Sequence, residues 1–175
     1  MQMTRSSLDE NQSAPRKMIG DAVFDRSRKY RYLLSRQWNC QKDKAVFVML
    51  NPSKADATVN DPTISRCISF AEKMGCGSLD VVNLFAFRTA YPKELKACPK
   101  PVGRLNDQYI AGAVEKASLI VVAWGNWGRL HDRDQEVLDL IALRRPLLCF
   151  GTTREGQPRH PLFLPAATEL VEMPR

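Results

Sequence analysis

The run Ala45-Val46-Phe47-Val48-Met49-Leu50 contains no polar side chain and stops abruptly at Asn51-Pro52. A strand with one wet face alternates apolar and polar residues, so an unbroken apolar run calls for cover on both faces. Leu79 to Leu84, Ser118 to Trp124 and Pro146 to Phe150 have the same largely apolar character. Between them lie segments with helical spacing: Pro62 to Met74, Leu105 to Lys116 and Asp132 to Leu143. Strand and helix in strict alternation predict an α/β domain. The expected form is a three-layer α/β/α sandwich around a central, mainly parallel four-stranded sheet. Tyr30 to Leu34, separated from Ala45 to Leu50 by the polar stretch Ser35 to Lys44, adds an N-terminal β-hairpin whose second strand enters that sheet.

The helices carry their own punctuation. Asp61 suits an N-cap and Pro62 the first helical position, while Gly75 and Gly77 provide a stop. Ile64, Cys67, Ile68 and Ala71 make one apolar stripe, Ile110, Ala113 and Val114 a second, and Val137, Leu138 and Ile141 a third. The proline-rich piece Tyr91 to Val102 reads as an irregular excursion. Residues 1–17 are polar and aperiodic, the signature of a flexible arm, which leaves 18–175 as one domain.

Charge and cysteine usage narrow the function classes. The formal net charge is +7, with many of the cations between Arg16 and Arg36. This balance favours a polyanionic partner, nucleic acid above all, although a solvated basic face has the same composition. No apolar run approaches the roughly 18 residues that span a bilayer, and the polar start offers no secretory signal, so no membrane association and a cytoplasmic location are expected. The five cysteines (Cys40, Cys67, Cys76, Cys98 and Cys149) form no C-x-x-C pair. Neither a disulfide framework nor a zinc site is expected, and no cofactor is called for. Cys149 belongs to a core run, whereas Cys67 and Cys76 are compatible with exposure. The oligomeric state is open, and a monomer is admissible.

In a parallel sheet of this type ligands bind outside the carboxyl ends of the strands. Polar residues gather at those ends here. Asn51-Pro52-Ser53 follows the first buried strand, and proline biases Asn51 toward an extended shape that can aim its amide into the crevice. Asn83 ends the second, followed by Phe85 and Arg88, a ring that can stack and a cation that can meet phosphate. Trp124, Gly125 and Asn126 end the third. The loop after the fourth carries Arg159 and His160, an imidazole that can donate to developing negative charge. Each has a structural reading as well: Asn-Pro is a common turn, Asp61 a cap, and the aromatic rings core residues.

The segments MLNPSKAD, NDPTISRC, VVNLFAFR, WGN and GQPRHPLFL, in that order, closely resemble the prokaryotic and phage family called domain of unknown function sixteen-forty-three, over roughly residues 25–165. A more distant similarity is to the uracil-DNA glycosylase superfamily, whose fold the chain would then share. That resemblance implies that Asn51 positions the attacking water, Asn83 reads a flipped base and His160 stabilises the departing base anion. Leucine and serine stand where the first loop of that superfamily has glycines. With no aspartate at position 51, Asp56 or Asp61 would supply the water-activating base. Pro52, Ser53, Phe85, Arg88, Trp124, Gly125, Asn126 and Arg159 complete the expected substrate site. The function implied is a base-processing enzyme that hydrolyses an N-glycosidic bond. The alternatives are a non-catalytic nucleic-acid-binding module on the same fold, and an enzyme acting on a free nucleotide or related small metabolite.

Overall fold

The structure is a computed structural model that describes residues 17–144 and 146–174. Apart from Lys17, the arm expected over residues 1–17 lies outside the described residues. Seven strands are present: β1 (Ile19–Phe24), β2 (Arg31–Gln37), β3 (Lys44–Met49), β4 (Ser78–Asn83), β5 (Leu119–Val122), β6 (Leu148–Cys149) and β7 (Val171–Glu172). They form one mixed sheet in the order β1-β2-β4-β3-β5-β6-β7. The parallel block β4-β3-β5-β6 contains the four buried runs of the sequence. The four-stranded expectation is too small because β1 and β2 extend one edge and β7 the other, all in antiparallel pairings.

Cover on both faces explains the apolar runs. Ala45, Phe47 and Met49 share a core with Ile64, Cys67, Ile68 and Ala71 of α1 (Pro62–Lys73). The intervening Val46 and Val48 share another with Ile110 and Val114, and with Val137 and Ile141. Ile110 and Val114 lie on α3 (Asn106–Glu115), Val137 lies on α4 (Arg133–Leu140), and a shorter helix, α2 (Pro92–Ala97), precedes both. Helices therefore lie on both faces of the sheet. Among the described residues no helix is long and apolar enough to cross a membrane.

Three sequence expectations need correction. The hairpin joins β1 to β2, not Tyr30–Leu34 to Ala45–Leu50: β3 already has β4 and β5 as neighbours, so β2 pairs with β4 instead. The partner was hidden because β1 (IGDAVF) is an edge strand with a glycine, an aspartate and little burial. The excursion after Tyr91 is partly ordered as α2, started by Pro92 at its first position and anchored by the buried Leu95. Cys67 and Cys76 are buried, packed between α1 and the sheet, and burial raises both thiols above their ordinary value.

Two local features place the site. In β2 the pairing runs from Val23↔Leu33 to Phe24↔Arg31, so Tyr32 is an extra residue, a bulge. The bulge turns Arg31 toward the α1 face while Tyr32 stacks on Tyr109 of α3 at 5.2 Å and 8°. The end of β4 is pinned from the other side. Asn106, fully buried, donates from Nδ2 to the carbonyls of Asn83 (2.8 Å) and Leu84 (3.0 Å), and Arg133 Nε donates to Leu84 as well (2.9 Å).

Asn106→Ala removes both amide bonds and leaves the Asn83 carbonyl short of its buried donor. The expected cost is about 1–3 kcal/mol of unfolding free energy. A urea midpoint that does not move in this variant would show that Asn106 does not pin the strand end.

Candidate functional site

A cavity of about 380 Å³ opens at the carboxyl ends of β3 and β4. The first turn of α1 and the loop after β6 close its other sides. Of the residues expected from the sequence, Asn51, Ser53, Asp61, Asn83 and His160 line it. Arg31, Lys54, Thr63 and Thr89 line it too, and none of these four was singled out by the sequence.

Asn51 sits in the loop between β3 and α1. Its Nδ2 donates to the carbonyls of Thr89 (2.7 Å) and Pro52 (3.1 Å), and Pro52 in turn accepts from the Thr89 amide (2.9 Å). Two carbonyl partners identify the nitrogen branch of the planar amide and leave Oδ1 as its unengaged acceptor. Proline at position 52 suits this arrangement, because it removes a donor where only a carbonyl is used.

Asn83 has the opposite polarity. It ends β4 with 2% exposure, and its Oδ1 accepts from Arg31 Nη2 at 3.5 Å, which leaves Nδ2 as the donor without a protein partner among the described residues. Arg31 is itself 2% exposed. Its Nη1 donates to the Ala55 carbonyl (2.9 Å), its Nε has no partner, and no carboxylate among the described residues lies within ion-pair distance. Burial pushes this guanidinium down to about 10, opposed by the charge of Asp61, so it stays cationic at neutral pH. A buried cation with an orphaned N–H is costly unless it serves a guest or fixes a neighbour. Here it fixes the Asn83 amide and adds positive potential to the cavity wall.

His160 is held by its backbone and by its own ring. The Gly125 amide donates to the Pro158 carbonyl (2.8 Å) and the Arg159 amide to the Gly151 carbonyl (3.0 Å), and Arg66 of α1 donates to the carbonyl of Leu164. Nδ1 accepts from the Leu162 amide (3.3 Å) at the start of a short 3-10 turn, Pro161–Phe163. With Nδ1 an acceptor, the neutral ring carries its proton on Nε2. Burial lowers the imidazole below its ordinary value, and the Asp61 carboxylate opposes the shift only in part.

Asp61 combines the two readings given to it. It caps α1 through Oδ1 on the Ile64 amide (2.9 Å), receives the Ala55 amide on Oδ2 (3.4 Å), and also lines the cavity. Asp56 does not line it; its Oδ1 closes a tight turn on the amides of Thr58 (2.9 Å) and Val59 (2.8 Å), and these bonds lower its carboxyl against a small opposing effect of burial. Phe85 lies in the α3 and α4 core, and Arg88 lies over the ring of Phe24 at 4.8 Å. Trp124 is buried and donates from Nε1 to Gln157 (2.6 Å), and Asn126 ties Glu155 (2.8 Å) and Thr153 (2.6 Å). The Trp-Gly-Asn-Trp-Gly segment is thus a support for the His160 loop. Gly125 has φ +73 beside His160, and a Cβ on Gly128 would fall 2.1 Å from the Trp124 ring. Arg159 is exposed and outside the cavity lining.

Arg31 left one faint trace in the sequence, a charge between two tyrosines at the start of a β-prone run. Its burial depends on the Tyr32 bulge, which periodicity does not reveal. Among the described residues no group of three or more histidine, cysteine or acidic side chains is placed to hold a metal ion.

The family described as Protein of unknown function (DUF1643) matches residues 31–162, more than half of the chain, and the protein belongs to it. The matched segment runs from Arg31 to Leu162, both of which line the cavity. No curated protein and no solved structure matches the chain.

The half-buried neutral imidazole of His160 makes stability pH-dependent. Because the folded-state pKa of His160 is depressed, the unfolded chain binds the proton first as pH falls. The contribution is intact above the ordinary value near 6.5 and is lost as pH drops through the lower folded value. Between about pH 7.5 and 5.5 the unfolding free energy should fall less in His160→Gln than in the wild type. Equal slopes in the two proteins would remove this account of the ring.

Proposed function

We propose that the protein processes a base of nucleic acid, on a uracil-DNA-glycosylase-like fold. A nucleotide leaves its stack, enters the cavity and loses its base by hydrolysis of the N-glycosidic bond. The observation that carries this reading is the meeting of Asn51, Asn83 and His160, from three separate strand-end loops, around one hollow of about 380 Å³. Such a volume suits a planar ring with part of its sugar, and the polarity of each side chain suits one task.

In the proposed reaction Asn51 Oδ1 accepts a hydrogen bond from the attacking water and orients it. The water oxygen bonds to the anomeric carbon as the carbon–nitrogen bond breaks, and that electron pair leaves with the base. Asp61, the carboxylate of the cavity wall, takes the water's proton. His160 Nε2–H donates to the departing base anion, a role for which a neutral donor is suited. Asn83 Nδ2 reads the base edge, and the buried charge of Arg31 favours the anion that forms there. The net charge of +7 supports nucleic acid as the partner, and the resemblance to the uracil-DNA glycosylase superfamily favours DNA over RNA.

Arg31 also favours a second reading. A buried guanidinium without an ion-pair partner suits the phosphate of a free nucleotide, and a raised unfolding temperature with mononucleotides but no binding to oligonucleotides would select it.

The deciding assay measures base release from oligonucleotides carrying uracil, damaged or hypermodified bases. Release from at least one is expected, and Asn51→Ala and His160→Gln should each slow it by roughly 10²–10³-fold while keeping the fold. Binding across the panel without release would make the protein a nucleic-acid-binding module, and release unchanged in both variants would remove this site from the chemistry.

A further inference from the structure

A second and larger cavity, about 1070 Å³, lies across β2 from the first. The bulge divides three successive residues between the two: Arg31 lines the smaller, Tyr30 and Tyr32 the larger. The wall of the larger cavity is aromatic. Tyr32 stacks on Tyr109, and Tyr30 meets Phe87 edge-on at 5.9 Å. Tyr30 and Tyr109 are half-buried, so each keeps ring surface toward the opening.

Its rim is cationic. Arg26, Lys100 and Arg104 are exposed, and none has an ion-pair partner among the described residues. The two carboxylates of the lining are engaged within the protein. Glu136 accepts from Arg133 (2.9 Å), and Asp25 closes the β1–β2 turn on the amides of Ser27 (3.1 Å) and Tyr30 (3.0 Å). Just outside, Arg28 and Arg88 lie 4.2 and 4.8 Å from the Phe24 ring and extend the positive surface. Part of the charge excess between residues 16 and 36 is therefore gathered at this opening rather than spread over the molecule.

Unpaired cations around a wall of aromatic rings match one class of ligand, a chain of negative charges that also offers planar faces. A base presents its face to a tyrosine only when it is free of its stack. We propose that this groove holds a single-stranded stretch of nucleic acid, with phosphates at Arg26, Lys100 and Arg104 and an unstacked base against the tyrosine wall. The inference rests on the nucleic-acid reading above and specifies the form of the partner and the surface that holds it. The two cavities share β2 as a wall, with Arg31 lining one and its neighbours Tyr30 and Tyr32 the other.

The test measures binding alone, with fluorescently labelled oligonucleotides of unmodified sequence, single-stranded and as the matching duplex, over a range of salt concentrations. The single strand should bind more tightly than the duplex. The double variant Lys100→Glu/Arg104→Glu should bind roughly tenfold or more weakly at low salt, and its salt slope should be shallower by about one for each phosphate that is no longer neutralised. Lys116→Glu, a single charge reversal of the same kind placed at the far end of α3, should bind as the wild type. Absence of binding, preference for the duplex, wild-type affinity in the double variant, or an equal loss in Lys116→Glu would each overturn the groove. Since the readout needs no base release, a failure of the hydrolytic reading leaves it intact. Release that persists while the groove variants bind normally would refute the groove alone.

Discussion

Apolar cover on both faces of β3 and β4 is the constraint from which the rest of the molecule follows. Between α1 on one side and α3 with α4 on the other, a polar group in the body of these strands has no water to turn to. The exception, Asp80, is buried within β4 and is answered by Lys44 at 3.0 Å, near the amino ends of the two strands. Polar chemistry is pushed to the opposite rim, where the backbone leaves the sheet and side chains regain room. Asn51 and Asn83 come to lie side by side there because parallel pairing in register sets Met49 opposite Asn83.

The rim is ordered by hydrogen bonds that its residues make within the protein. Thr89 and Pro52 occupy the nitrogen of Asn51, Arg31 occupies the oxygen of Asn83, and the Leu162 amide occupies Nδ1 of His160. Each side chain therefore has one committed end and one end free, and the free ends are an acceptor, a donor and a donor. Such prior commitment is what allows a site to act on developing charge without rearranging as it does so.

Much of this was legible in the sequence, because the dominant signals were strong and local. Ile64, Cys67, Ile68 and Ala71 announced a helix face, and Asp61-Pro62 announced its start; both are found. Asn51, Asn83 and His160 stood out because a polar residue ending or following an apolar run has to find a use. What escaped was non-local. The partner of β2 was a half-exposed edge strand with no pattern to advertise it, and β7 is only two residues long. Arg31 escaped since a charge in an alternating strand reads as solvated. Trp124 and Asn126 misled for another reason: rings, glycines and an amide in one loop serve packing as readily as binding, and Gly128 is small to admit the Trp124 ring.

The extra residue at Tyr32 has an implication for how the protein can vary. Side chains in a strand alternate, so the parity of β2 decides which ones look into which hollow. Paired without the bulge, the same residues would put a phenol where the guanidinium stands in the smaller hollow, with no substitution anywhere in the loops that form it. The pairing register of β2 is thus as much a determinant of chemical character as residue identity, and a shift there rewrites both hollows at once.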